Sequence, residues 1–269
     1  MLNAVESIFK YSIKNNKGKV DPDINIAIIS LFSSLMEKVY DIKLLCENKR
    51  YDNLGIILRS FFEQSVYLRY ILKEDTLRRS KAFIYGHYID TLKKLKRLLR
   101  YMNQDGEYFN EEEYECVRKI FDHSASLLEA DVSNSEELLE KYQKIYKEQL
   151  INMSKKFTFN NFKWYNLTGK INNFRKLTNV VGMVDADYDY FYSLTSSGVH
   201  GTDPLNRGIN MITNTLKNQL DPTKDLQSSI FRLLKETVRD LAKHYNVYKS
   251  TYVQNMIAQY HMSYRLSKF

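Results

Sequence analysis

With 269 residues, of which 43% are apolar, the chain is long enough to bury a sizeable core, and its 27% charged residues exclude wholly disordered and collagen-like readings. Its 9 Gly and 3 Pro are too few for the many tight turns of a sandwich, a barrel or a doubly wound α/β fold, so the composition predicts an all-α protein. The net charge of +8 is uneven, with 19 Lys+Arg against 12 Asp+Glu over 1–105, 5 against 12 over 106–150 and 16 against 8 over 151–269; such a pattern suits a polyanionic partner, or pairing of basic with acidic stretches within or between protomers.

The first twenty residues lack the uninterrupted apolar core and small-residue cleavage site of a signal peptide. The longest apolar stretch, Ile24 to Phe32, is interrupted by Asn25 and Ser30 and falls short of the about 18–20 residues that span a bilayer. A cytoplasmic protein with no membrane partner is expected. Cys46 and Cys116 stand without a CxxC spacing, so both are expected to be reduced and buried.

All three prolines follow an aspartate, at Asp21-Pro22, Asp203-Pro204 and Asp221-Pro222. A carboxylate that caps free N–H groups, followed by a residue with no N–H to lose, predicts a helix start at each. Behind the first, Ile24, Ile28, Leu31, Leu35, Val39, Ile42 and Leu45 recur at helical spacing up to about residue 50. Further helices are predicted near 53–73, 76–101, 110–130, 134–153, 168–181, 186–199, 222–245 and 250–266, with a loop over Asn103 to Gly106. The Glu111-Glu112-Glu113 run suits a helix's first turn. No repeat or low-complexity linker divides the chain, which predicts a single helical domain over 1–269, with the acidic segment 107–150 as a helical hairpin projecting from it.

The segment 53–73, NLGIILRSFFEQSVYLRYILK, is apolar on two sides. Leu54, Ile57, Phe61, Leu68 and Leu72 share one face, while Ile56, Val66 and Tyr70 lie nearly opposite. A helix apolar all round is central and buried, yet Arg59 and Glu63 fall on the second face. Burying two charges costs several kcal/mol each without compensating hydrogen bonds. The pair is therefore either an internal ion pair that fixes helix packing, or a site in which Arg59 holds an anion such as a phosphate and Glu63 orients it or acts on a proton.

A second constellation lies in YDYFYSLTSSGVHGTDPLNRG, residues 188–208. A helix continuing to His200 would align Asp189, Ser193, Ser196 and His200 on one face. His200 titrates near neutrality, which suits acid–base work, and Asp189 or Asp203 could orient it. The five histidines show no HExxH or clustered spacing, and no metal site or cofactor is expected. No GxSxG, Walker or GxGxxG pattern occurs. The run LKKLKRLLR sets Lys93, Lys96, Arg97 and Arg100 opposite Leu92, Leu95 and Leu99, a solvated amphipathic face.

The helix with Arg, three residues, then Glu, the segment FKWYNLTGKI and the late YFYSLTSSGVHGT together resemble a bacterial all-helical family of unknown function. More widely the chain is similar to the HEPN superfamily of helical bundles, common in toxin–antitoxin, abortive-infection and antiviral systems. The resemblance implies a HEPN-like bundle with additional helices, a homodimer, and an RNA substrate cut without a metal. It makes His200 the proton-transfer group. The superfamily's Arg-x4–6-His spacing falls here on Ser193, Leu194 and Thr195, so Arg59 is implied as the source of positive charge, held by Glu63, with Arg207 a weaker substitute. Ser193, Ser196, Arg207 and Tyr70 are the expected substrate-binding residues. The rival expectation is a non-catalytic module that scaffolds or neutralises a partner protein of a defence system, in which Arg59, Glu63 and His200 are core hydrogen-bonding groups and exposed tyrosines form the interface.

Overall fold

The computed structural model describes residues 2–16, 20–48, 50, 54–104, 112–113, 115–116, 118–119, 122, 135–152, 157–159, 162–193 and 222–266. Among them all regular structure is helical. The chain divides into two compact units, one of residues 1–76 and 174–269, the other of residues 77–173.

The first unit holds α1 (Leu2–Asn15), α2 (Pro22–Glu47), α3 (Leu54–Lys73), α6 (Phe174–Val180), α7 (Asp185–Tyr188), α8 (Pro222–His244) and α9 (Thr251–Leu266). α2 begins as its Asp-Pro pair predicts: the Asp21 side chain accepts from Asp23 N at 2.9 Å, with Pro22 in the first turn. α8 likewise starts at Pro222; Asp203-Pro204 lies outside the described residues. The helix α1 has no such start signal in the sequence, and its stripe of Ala4, Val5, Ile8 and Ser12 is half small or polar. Ser12 is buried because its hydroxyl bonds back to Ile8 O at 2.7 Å.

α3 is the central element, packed against α2 on one side and α8 on another. Phe61, Phe62, Leu68 and Ile71 of α3 are fully buried, as are Ile28 and Leu35 of α2 and Leu234 and Leu241 of α8. Each such side chain contributes about 1.5–3 kcal/mol. The polar rung between α3 and α8 is satisfied internally: the buried hydroxyls of Ser65 and Thr237 lie 2.9 Å apart, and Thr237 also donates to Leu233 O at 2.8 Å. Burial on both sides begins at Leu58. Ile56, expected on an apolar face, is 47% exposed in the first turn.

The second unit holds α4 (Thr76–Gln104) and α5 (Ser135–Ile145), which passes into a π-helical turn over Tyr146–Leu150. α4 runs to Gln104, two residues into the expected loop. Ala82, Ile89, Leu92 and Leu95 pack with Leu138, Tyr142 and Tyr146, covered by Phe157, Phe162 and Trp164. The Tyr146 hydroxyl donates to Trp164 O at 2.7 Å. Gly86 lets Trp164 sit against α4: a Cβ there would lie 2.6 Å from Trp164 Cβ. Lys96, Arg97 and Arg100 are exposed as expected, whereas Lys93 turns inward and donates to Phe159 O at 3.3 Å.

Three expectations are corrected. The helix predicted over 168–181 starts only at Phe174, because Gly169 takes φ +78° and turns the chain. Cys46 is only partly buried, and Cys116 is exposed in a stretch whose described neighbours, Glu112, Glu113, Glu115, Arg118 and Lys119, are charged and exposed. The continuous α-helix predicted from 186 instead changes after Tyr188 into a π-helical turn over Asp189–Ser193.

Candidate functional site

Residues four apart on an α-helix meet across one turn. On α3 this brings Arg59 Nε to donate to Glu63 Oε1 at 3.1 Å. Their side chains are 17% and 30% exposed, so the pair sits at the edge of the core rather than sealed within it. Above it lies an aromatic ring from a segment more than a hundred residues away: Arg59 Cζ is 4.1 Å from the centroid of Tyr192. A guanidinium over a partly desolvated ring is attracted by its negative face by about 1 kcal/mol. Burial pulls the Arg59 pKa down, but the Glu63 hydrogen bond and the nearby Tyr192 and Glu63 outweigh it and hold the group above its ordinary value. Arg59 is a fixed cation.

The π-helical turn is what delivers Tyr192. Phe191 is buried and stacks on Phe62 with centroids 5.2 Å apart, and next to it Tyr192 stacks on Phe174 at 4.9 Å and on Tyr188 at 5.0 Å. The buried carboxylate of Asp187 takes both terminal nitrogens of Arg232 from α8, which fixes α7. At the outer edge Arg175 lies 5.1 Å over Tyr188 and pairs with Asp185 at 3.3 Å and Asp189 at 3.9 Å. A ladder Arg59, Tyr192, Tyr188, Arg175 results, with two cations flanking two rings. Burial, then the neighbouring Tyr192, push the Tyr188 phenol up, so it stays a neutral donor.

Of the residues predicted from sequence, the structure thus brings together Arg59 and Glu63, and adds Tyr192 from the second predicted constellation. Tyr70 lies about three turns further along α3, 2% exposed in the core. Ser193 closes the π-helical turn. The predicted register of Asp189 with Ser193 assumed 3.6 residues per turn, which a π-turn does not keep, and the Asp189 carboxylate is directed to Arg175. His200, Ser196 and Arg207 lie outside the described residues.

Sequence reasoning missed a second charged cluster at the other end of α3. Arg69 Nε donates to Asp240 Oδ2 of α8 at 2.7 Å, and the two side chains are only 11% and 25% exposed. Together with Lys73, Lys243 and His244 they border a cavity of about 400 Å³. The one sequence signal was Arg69 itself, a cation ten residues after Arg59 on a helix with little exposed surface.

A model of a family of unknown function, DUF5677, matches residues 25–215, which include α3, α4, the ladder and all but the first turn of α2. No curated protein and no solved structure matches the chain.

Proposed function

This chain belongs to the DUF5677 family of unknown function, and we propose that it is a bacterial defence or growth-control protein that acts on RNA as a metal-independent, HEPN-like ribonuclease, working as a homodimer in the cytoplasm. The observation that carries the reading is the seat of Arg59, which is cationic, partly exposed, held by Glu63 and covered by Tyr192, eight residues before His200. Tyr192, from the segment that carries the second constellation, therefore reaches α3 beside a charge of the sign a phosphodiester needs.

In this reaction the ribose 2′-oxygen attacks the adjacent phosphorus and His200 takes its proton. The P–O5′ bond breaks, His200 returns the proton to the leaving 5′-oxygen, and a 2′,3′-cyclic phosphate remains. Arg59 stabilises the charge that builds on the phosphorane oxygens, and Glu63 keeps the guanidinium in place. Ser193, Ser196 and Arg207 would hold the strand. The test is RNA integrity in bacteria after induction of the wild-type protein, His200→Ala and Arg59→Ala, with folding of both variants checked by circular dichroism. Discrete cleavage lost in both variants is the expected result. Cleavage that survives Arg59→Ala would remove Arg59 from the mechanism.

A second reading is favoured by α2, whose outer face exposes Ile26 at 53%, Ile29 at 40% and Leu44 at 60%. Apolar side chains spaced along one helix suit a protein-binding surface. A non-catalytic module that scaffolds or neutralises a defence-system partner would use this face. Intact RNA in every strain, with a partner retained by the wild type and lost on Ile26→Glu, would select it.

A further inference from the structure

The cavity of about 400 Å³ lies where three helices of the first unit end: α3 at Lys73, α6 at Val180 and α8 at His244. Open carbonyl ends would give it a negative field. Two of these ends are closed by the backbone. After α6, Gly182 takes φ +75°, and Met183 N and Gly182 N donate to Thr178 O and Asn179 O at 3.1 and 3.0 Å. After α8, Asn246 takes φ +56°, and Val247 N and Asn246 N donate to Ala242 O and Lys243 O at 2.9 and 3.0 Å. Lys73 Nζ donates to Val180 O. With carbonyls of those two turns occupied, the lining side chains bring three cations, Arg69, Lys73 and Lys243, against the single carboxylate of Asp240.

We propose that this cavity binds a small phosphomonoester of nucleoside-monophosphate size. An excess of two positive charges matches the about −1.5 to −2 of a phosphomonoester at neutral pH better than the single charge of a carboxylate. Arg69, aimed by Asp240, offers a planar fork, and Lys73 and Lys243 are point charges at the rim, both exposed. Leu72 and Val181 supply an apolar wall, which inorganic phosphate would leave uncovered. The volume lies at the low end of the about 300–1,000 Å³ typical of small-molecule sites. Burial keeps His244 below its ordinary pKa, so its neutral ring can donate or accept toward a sugar or base. Nothing in this site depends on RNA cleavage at Arg59.

The test is isothermal titration of the full chain with AMP, adenosine and a 5′-phosphorylated tetrauridylate. AMP is expected to bind one to one and adenosine not at all. Lys243→Glu, at an exposed position, is expected to weaken AMP about tenfold or more with no change in melting temperature, Lys73→Glu to weaken it likewise while also losing the hydrogen bond to Val180 O, and Arg59→Ala to leave AMP affinity unchanged. Binding of the tetrauridylate but not AMP, lost in Lys243→Glu, would make the 5′ end of an RNA the source of the phosphomonoester. Absence of binding by both phosphomonoesters, equal binding of adenosine, or affinity unchanged by both charge reversals would overturn the proposal.

Discussion

Arg59 and Arg69 sit ten residues apart on one helix, both partly buried and both paired with a carboxylate, yet they are held in opposite ways. Arg59 finds Glu63 on its own helix, so that forming α3 brings the partner within reach, and only the covering ring of Tyr192 comes from elsewhere. Arg69 finds Asp240, 171 residues away, and the pair exists only once α8 has docked. The first pair is local and can serve chemistry at the edge of the fold; the second ties two helices together and takes part in the tertiary structure itself. Loss of a partner should therefore be felt far more at Arg69.

The largest effect is expected for Asp240→Ala. With Arg69 only 11% exposed, removing its carboxylate strands a nearly buried charge, at a cost of about 2–3 kcal/mol, below that of fully buried pairs because Asp240 retains some water. Urea unfolding measures it, and a cycle with Arg69→Met should recover much of the loss. Next comes Tyr192→Ala, which removes the ring over Arg59 and two aromatic stacks; about 1–2 kcal/mol is expected. The smallest of the three is Glu63→Gln, about 0.5 kcal/mol or less, since an i,i+4 pair with a third of one partner in water contributes little. If Glu63→Gln destabilised as much as Asp240→Ala, the contrast between the two arginines would fail.

The same contrast explains what could be read from the sequence. Arg59 and Glu63 were legible because their spacing repeats the helix period, and α2 and α8 because Asp-Pro marks their starts. α1 escaped because it has no cap signal and its inner face is half small or polar. Asp240 was indistinguishable from any surface aspartate until α3 lay beside it, since periodicity reports which face of a helix is buried and not which helix covers it. Tyr192 lay within a recognised segment, but the predicted register followed an α-helix. The π-helical turn over Asp189–Ser193 shifted that register and pointed the ring at Arg59, and nothing in the residue types announced it.

The two ends also differ in what titrates near neutrality. At the Arg59 end the described neighbours are a carboxylate, phenols and an arginine, with no histidine among them. At the Arg69 end, His244 packs edge-on against Tyr245 at 5.0 Å and borders the cavity with Arg69, Lys73, Lys243 and Asp240. Burial holds its pKa below the ordinary 6.5 in the folded chain. The unfolded chain therefore takes up the proton first as the pH falls. The associated stability is complete above the unfolded pKa and declines from about pH 6.5 downward, until the folded ring also protonates. Wild type should thus lose more stability than His244→Gln between about pH 7.5 and 5.5, by less than any of the substitutions at Asp240 or Tyr192. Parallel urea profiles for the two proteins would show that the imidazole is hydrated in the fold, and would remove the neutral ring from the proposed phosphomonoester site while leaving its three cations in place.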